Sequence, residues 1–238
     1  MKSLIVAAAI AATLAAAPAH ATMTTLFYGG DTSYFYQNYS YALYSEANAN
    51  TGANYQAYDD FTVPVGQNWT VGGMFAHIGD PGDSASLSAN WFIRTGVTTS
   101  SLGTLVASGS DVAGTISDSG VGDIINGELT SEKLSIGIAP VVLSGGQTYW
   151  FALQPISPTT YHIFTGGTAS NLNAVGGPLD NFSYWYIGTQ IQAYNSDLSA
   201  GLTGTSVALP VPEPASLALA GSGWLMLAAL RRRRRHSA

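Results

Sequence analysis

The stretch LSANWFIR, residues 87–94, places Leu87, Ala89, Trp91 and Ile93 on one parity and Ser88, Asn90, Phe92 and Arg94 on the other. Successive side chains of an extended strand point to opposite faces, so this alternation reads as a strand with one buried face. The same period recurs in Leu134, Ile136 and Ile138, and in Tyr149, Phe151 and Leu153 set against Trp150, Ala152 and Gln154. Trp69, Val71, Gly73 and Phe75 form another set expected to share a face. Further strand candidates lie at 26–28, 57–63, 103–107, 161–164, 184–191 and 206–209, bounded by turn signals such as GDPGD at 79–83 and GG at 145–146. About nine to eleven strands, no convincing amphipathic helix and no internal repeat predict an all-β chain. The expected arrangement is a single antiparallel β-sandwich, jelly-roll-like.

Between residues 22 and 210 the only basic residues are Arg94 and Lys133, against thirteen acids, a formal charge of −11. Phosphate binding needs a basic footprint, so a nucleic-acid partner is excluded. There is no cysteine, which removes disulfides, thiolate chemistry and cysteine-ligated zinc. The stretch is long enough for one domain with a substantial core.

The two ends read as addressing segments. Lys2, an apolar run over 4–17 and Ala19-His20-Ala21 follow the order of a secretory signal peptide, with Ala19 and Ala21 as the small residues before a cut at Thr22. An uncleaved anchor is the alternative. The other end is VPEPASLALAGSGWLMLAALRRRRRHSA, residues 211–238. Its run 215–230 carries no charge and as a helix would reach about 24 Å, short of a ~30 Å hydrocarbon layer. Arg231, Arg232, Arg233, Arg234 and Arg235 are each costly inside a membrane, so they stop transfer and stay on the cytoplasmic side while their stems snorkel. Pro212 and Pro214 fix their own φ, and Pro214 disfavours helix at Glu213, so Pro212-Glu213-Pro214 is expected to be extended. The chain thus divides into a signal peptide (1–21), an ectodomain (22–208) and a sorting segment (209–238) with its motif at 212–214, membrane span at 215–230 and arginine cluster at 231–235.

Pro-Glu-Pro, a short apolar span and an arginine cluster, in that order, closely resemble the PEP-CTERM sorting signal of Gram-negative bacteria; an ordinary tail anchor is the bland alternative. The resemblance implies recognition and cleavage near the motif by an exosortase, a membrane-embedded transpeptidase-like enzyme to which this chain is substrate. It also implies a transient membrane anchor, then a cell-surface or extracellular-matrix destination associated with exopolysaccharide and biofilm. The stretches AYDDFTVPVGQNWTVGGM (57–74) and VVLSGGQTYWFALQP (141–155) resemble segments of ectodomains that carry this signal. That likeness supports a sandwich and assigns no activity.

Catalytic readings are weak. His77 and His162 are the only ectodomain histidines, there is no G-x-S-x-G, and GDSA at 82–85 lacks a later D-x-x-H, which TTYH at 159–162 does not supply. Adjacent Asp59 and Asp60 should point to opposite faces of a strand and cannot pair over one substrate; a structural role for one of them, such as a backbone hydrogen bond or calcium ligation at a strand start, is favoured. Oxygen-rich stretches at 79–83 and 111–128 suit calcium, the one cofactor considered, but match no EF-hand or repeat spacing, so no ligand is assigned. Tyr34, Tyr36, Tyr39, Tyr41 and Tyr44 form a cluster that suits a ligand surface, although partial burial accounts for it at least as well. The sequons at Asn38, Asn68 and Asn181 imply little if the source is bacterial, as the resemblance implies. The leading expectation is a non-enzymatic exported protein; the alternative is a carbohydrate-binding module or polysaccharide-active enzyme on the same sorting route.

Overall fold

The computed structural model describes residues 22–31, 42–80, 87–118, 130–157, 163–168, 171–180 and 182–209. The expected signal peptide, the sorting segment from 210 onward, Tyr34, Tyr36, Tyr39, Tyr41 and His162 lie outside them, as do most of the two oxygen-rich loops. Among the described residues all regular structure is β: β1 Thr24–Tyr28, β2 Ala42–Tyr44, β3 Glu46–Asn48, β4 Ala53–Thr62, β5 Gln67–Asp80, β6 Ser88–Thr95, β7 Thr104–Asp118, β8 Thr130–Ser144, β9 Thr148–Ser157, β10 Phe164–Thr168, β11 Ser183–Ile187, β12 Ile191–Tyr194, β13 Asp197–Leu198 and β14 Ala200–Ala208.

The alternation of LSANWFIR is realised in β6. Ala89, Trp91 and Ile93 are buried, while Asn90, Phe92 and Arg94 on the other parity are half-exposed. Eleven of the strands form one hydrogen-bonded path, β1-β14-β5-β8-β7-β6-β9-β3-β4-β11-β12, curled into an open half-barrel, and off it β10 pairs with β5, β2 and β13. The antiparallel expectation holds throughout except between β3 and β9, which are parallel. Two unconnected sheets are not what the pairing shows, because β7 joins both wings. Its first part pairs with β6 and its last part, from Gly114, with β8. The change of partner follows Asp111, whose φ of 52° lies in the left-handed region. Its strained backbone is held by Asn90 Oδ1, which accepts the Asp111 N–H at 3.1 Å, and by the Ser88 hydroxyl, which donates to its carboxylate at 2.5 Å. At Gly114 a Cβ would come within 2.8 Å of the Leu87 carbonyl oxygen, so the crossing needs a residue without a side chain.

One contiguous core fills the curl. Phe61, from β4 on one wing, stacks on Trp69 from β5 on the other with ring centres 5.9 Å apart and planes 2° from parallel. The same ring also meets Tyr149, Phe27 and Phe151 at 5.7, 5.8 and 5.9 Å. Leu134, Ile136, Tyr149, Phe151 and Leu153 enter this core as their period predicts, with Ile138 packed at its edge.

The expectation for Trp69, Val71, Gly73 and Phe75 is corrected. The β5–β8 register shifts between Val71 and Gly73, and the β5–β14 register shifts beside it. A bulge of one residue inverts every later parity. Trp69 and Val71 therefore join Met74, Ala76 and Ile78 in the core, while Phe75 faces the other way, against Tyr28 and under the Lys133 ammonium, 4.0 Å from its ring centre.

Candidate functional site

Of the tyrosine cluster only Tyr44 is described. It is half-buried between Tyr55 and Trp185, with ring centres 5.7 and 6.0 Å away, and its carbonyl accepts the Trp185 indole N–H at 2.9 Å. The contacts support the packing reading for this residue.

His77 sits on the same parity as Phe75, made available by the bulge. Its Nδ1 lies 2.9 Å from the Ser199 hydroxyl and 3.3 Å from the Tyr28 hydroxyl, which donates to Asp31 at 2.8 Å. A serine, a histidine and an acid are thus joined, but through a tyrosine, and Ser199 is completely buried, leaving no approach for a substrate. Burial, reinforced by the Lys133 charge, holds the His77 imidazole down to about 4, so it is neutral at pH 7 and serves as a core polar link.

Asp59 and Asp60 point to opposite sides of β4, as expected. Asp59 is on the core side, where its Oδ2 accepts the Leu198 N–H at 3.0 Å, a backbone hydrogen bond of the kind expected for one of the pair. Missing from the sequence reading were Asp197 and Asp180, which the fold brings near from far along the chain. Burial, then the charge of Asp197, raises the Asp59 carboxyl well above its ordinary value. Burial, then Asp180 and Asp197, raises Asp60 from 3.8 to about 7. Asp197 Oδ1 accepts the Phe182 N–H at 3.1 Å, so these carboxyls serve chain connections. Among the described residues no group of three or more histidine and carboxylate side chains is placed to hold a metal ion.

These shifts have opposite linkage signs. A carboxyl whose pKa is raised on folding costs nothing below about 4 and destabilises the fold as pH climbs to about 7 and beyond. A histidine lowered from 6.5 to about 4 leaves the fold fully favoured above 6.5 and destabilises it as pH falls towards 4. Asp60→Asn is expected to raise stability at pH 7 relative to pH 4, and His77→Gln to do the reverse. Urea midpoints of both variants and the parent at the two pH values check this; parallel pH profiles for all three would refute the assignment.

The side of the second wing facing away from the core is the most ligand-like surface described. Register places Asp60 and Trp150 side by side, then Arg94, with Tyr184, Tyr58, Ala152 and Phe92 in the next row. Trp150 and Tyr184 have ring centres 4.9 Å apart, and Phe182 meets Tyr184 edge-on at 5.0 Å. All three rings are half-exposed. The Arg94 guanidinium donates from Nε to the Tyr58 hydroxyl at 3.0 Å and from Nη1 to the Leu102 carbonyl at 3.4 Å, tying the 96–103 loop to this face. Between that loop and the β11–β12 hairpin lies a cleft of about 440 Å³. Its lining residues include the hydroxyl-bearing Thr99, Ser100, Ser101 and Thr189, with Gln190 and Tyr186, alongside the apolar Leu102 and Ile191. Periodicity marks Trp150 and Phe92 as outward, but their convergence with the hairpin depends on pairing over long separations.

A search of curated proteins finds no match to this chain. Residues 210–235 match a family model described as the PEP-CTERM protein-sorting motif. This match covers Pro212, Glu213, Pro214, the apolar run and all five arginines. It implies exosortase-dependent sorting of an exported protein, with transient membrane anchoring through the C-terminal segment. The chain therefore carries, at 210–235, a PEP-CTERM protein-sorting motif.

Proposed function

We propose that the chain is a non-catalytic exported protein whose β body is cargo. It is exported with its tail held in the cytoplasmic membrane, cut near Pro212–Pro214 by the exosortase, and retained at the cell surface or in an exopolysaccharide matrix of a biofilm-forming Gram-negative cell. The motif at 210–235 carries the proposal. The inaccessible Ser199–His77 pair and the structural use of Asp59 support a body without hydrolase machinery. Mass spectrometry of the mature termini from native cells tests it: a mass lacking residues 1–21 and the arginine cluster is expected, and recovery of all 238 residues from the cytosol defeats it.

A second reading, carbohydrate binding, is favoured by the outward rings and the hydroxyl-lined cleft. Aromatic rings pack against the C–H faces of sugars while hydroxyls and amides bond their oxygens. An acidic body selects neutral glycans over polyanionic ones. On this reading Trp150→Ala and Tyr186→Ala each weaken binding of the processed protein to a neutral polysaccharide by about tenfold, an aromatic contact of roughly 1.4 kcal/mol. Affinity electrophoresis measures it. Unchanged mobility of both variants, with loss on replacing Tyr34 to Tyr44 instead, would return the ligand surface to the tyrosine segment. Turnover of the polysaccharide, abolished by one acidic substitution, would overturn the non-catalytic assignment.

A further inference from the structure

The folded body is not uniformly acidic. Its charged residues are absent from 61–79, 134–179 and 198–209, although residues 22–210 carry a formal −11. Those segments build β5, most of β8, β9 and β14, and they meet at the end of the half-barrel where the chain leaves for its tail. There the Leu209 N–H donates to the Gly66 carbonyl at 2.8 Å, fastening the exit to the β4–β5 turn. Val207 lies opposite Asn68, and Thr70 lies opposite both Thr205 and Val142, so the two valines share the outward face of this wing. Val65 reaches over the β8–β9 turn, since a Cβ on Gly146 would come 3.3 Å from its Cγ2. Val65 is 87 % exposed, Val142 65 %, Val207 59 % and Leu209 42 %. Single exposed apolar residues need no explanation, but four around one end do. The nearest charged groups belong to the other wing: Asp60, two residues before the end of β4, is buried, which favours its neutral form, the exposed Asp180 lies near it, and Arg94 is in register with Trp150.

We propose that this end rests on the lipid bilayer while the protein is tethered, with Val65, Val142, Val207 and Leu209 meeting the headgroup–acyl boundary. The inference rests on the reading of 215–230 as the anchor. From Leu209 to Ala215 the chain spans at most about 20 Å when fully extended. An apolar run of roughly 24 Å in a ~30 Å layer draws its flanking residues toward the interface, shortening that reach further. Tethered so closely, the body must turn some surface to the membrane. Anionic lipid repels its acidic faces, and the end built by the charge-free strands is the one the tether already points downward. Seating it there holds the Pro212–Pro214 segment at a constant height above the membrane. Cleavage of the tail then removes the tether, and four side chains are too little apolar surface to retain the body alone.

The absence of cysteine gives a direct test with the full chain. Val65→Cys, Val207→Cys and, at the opposite end of the half-barrel, Ser117→Cys each carry one fluorophore. Each protein is reconstituted into phosphatidylcholine–phosphatidylglycerol vesicles containing a headgroup spin label. Quenching at 65 and 207 is expected to exceed that at 117 several-fold. Equal quenching at all three sites in protein that floats with the vesicles overturns the seating and leaves the anchor standing. Protein that fails to float overturns the anchor and the seating together. Headgroup quenching absent at 65 and 207, with protection of these sites from a water-soluble quencher appearing only when exosortase is in the vesicles, overturns lipid as the occupant and assigns the surface to the enzyme.

Discussion

Phe61→Ala is expected to lower the melting temperature of the processed protein by about 6–20 °C. The ring is completely buried and packs between residues of both wings: Tyr149 and Phe151 on its own side, Trp69 and Phe27 across the curl. Truncating a buried phenylalanine costs about 3–5 kcal/mol through lost transfer energy and the cavity left behind. For a chain of this size each kcal/mol shifts the midpoint by about 2–4 °C. The site has little means of collapse, since stacked planes 2° from parallel cannot close sideways without parting β4 from β5. Leu105→Ala, on a half-exposed residue, should change the midpoint little, within about 0.5 kcal/mol. Calorimetry of the two variants beside the parent decides it. Similar midpoints for all three would mean that the wings are not held together through this ring.

Replacement of both Pro212 and Pro214 by alanine is expected to abolish C-terminal processing, so that the precursor accumulates in the membrane with its arginines attached. The prolines exclude helix from 212–214. Alanine is the strongest helix former, and its presence lets a helix starting in the apolar run 215–230 extend upstream. A peptidase that binds its substrate as an extended strand then loses the exposed backbone groups it would pair with. Pro210→Ala lies outside the tripeptide and should be processed normally. The mass of the C-terminus from cells carrying each variant gives the readout. Normal cleavage of the double variant would show that extension at 212–214 is not what the enzyme recognises.

The outward chemistry of the body was only partly visible beforehand. Alternation identified the faces of β6 and β9 correctly because the period of a regular strand is a local property of its backbone. It misplaced Phe75, because the bulge after Val71 arises from how β5 pairs with β8 and β14, and nothing in WTVGGMF announces which residue will be left over except its two glycines. That same inversion turned His77 towards Tyr28 and Ser199, a contact over 122 positions with Ser199 that no local pattern contains. A structural role was expected of either Asp59 or Asp60, but which of them takes it depends on Leu198, the partner of Asp59, and on Asp197, which crowds it, 139 and 138 positions away. Short strands such as β3, β12 and β13 escaped notice because two to four residues hold too few periods to register.

Sequence alone determined that the chain is β-built, acidic, free of cysteine, and equipped with a PEP-CTERM sorting motif at its end. Each of these is composition, a short-range period or a linear order of segments, and such properties do not depend on what the chain meets in space. The tertiary structure decided that the strands form one curled sheet joined through β7, that the buried acids press upon one another, and that the exit to the tail falls beside exposed apolar side chains. Those outcomes depend on register between strands far apart in the chain, which is settled by the burial of both wings against a shared core.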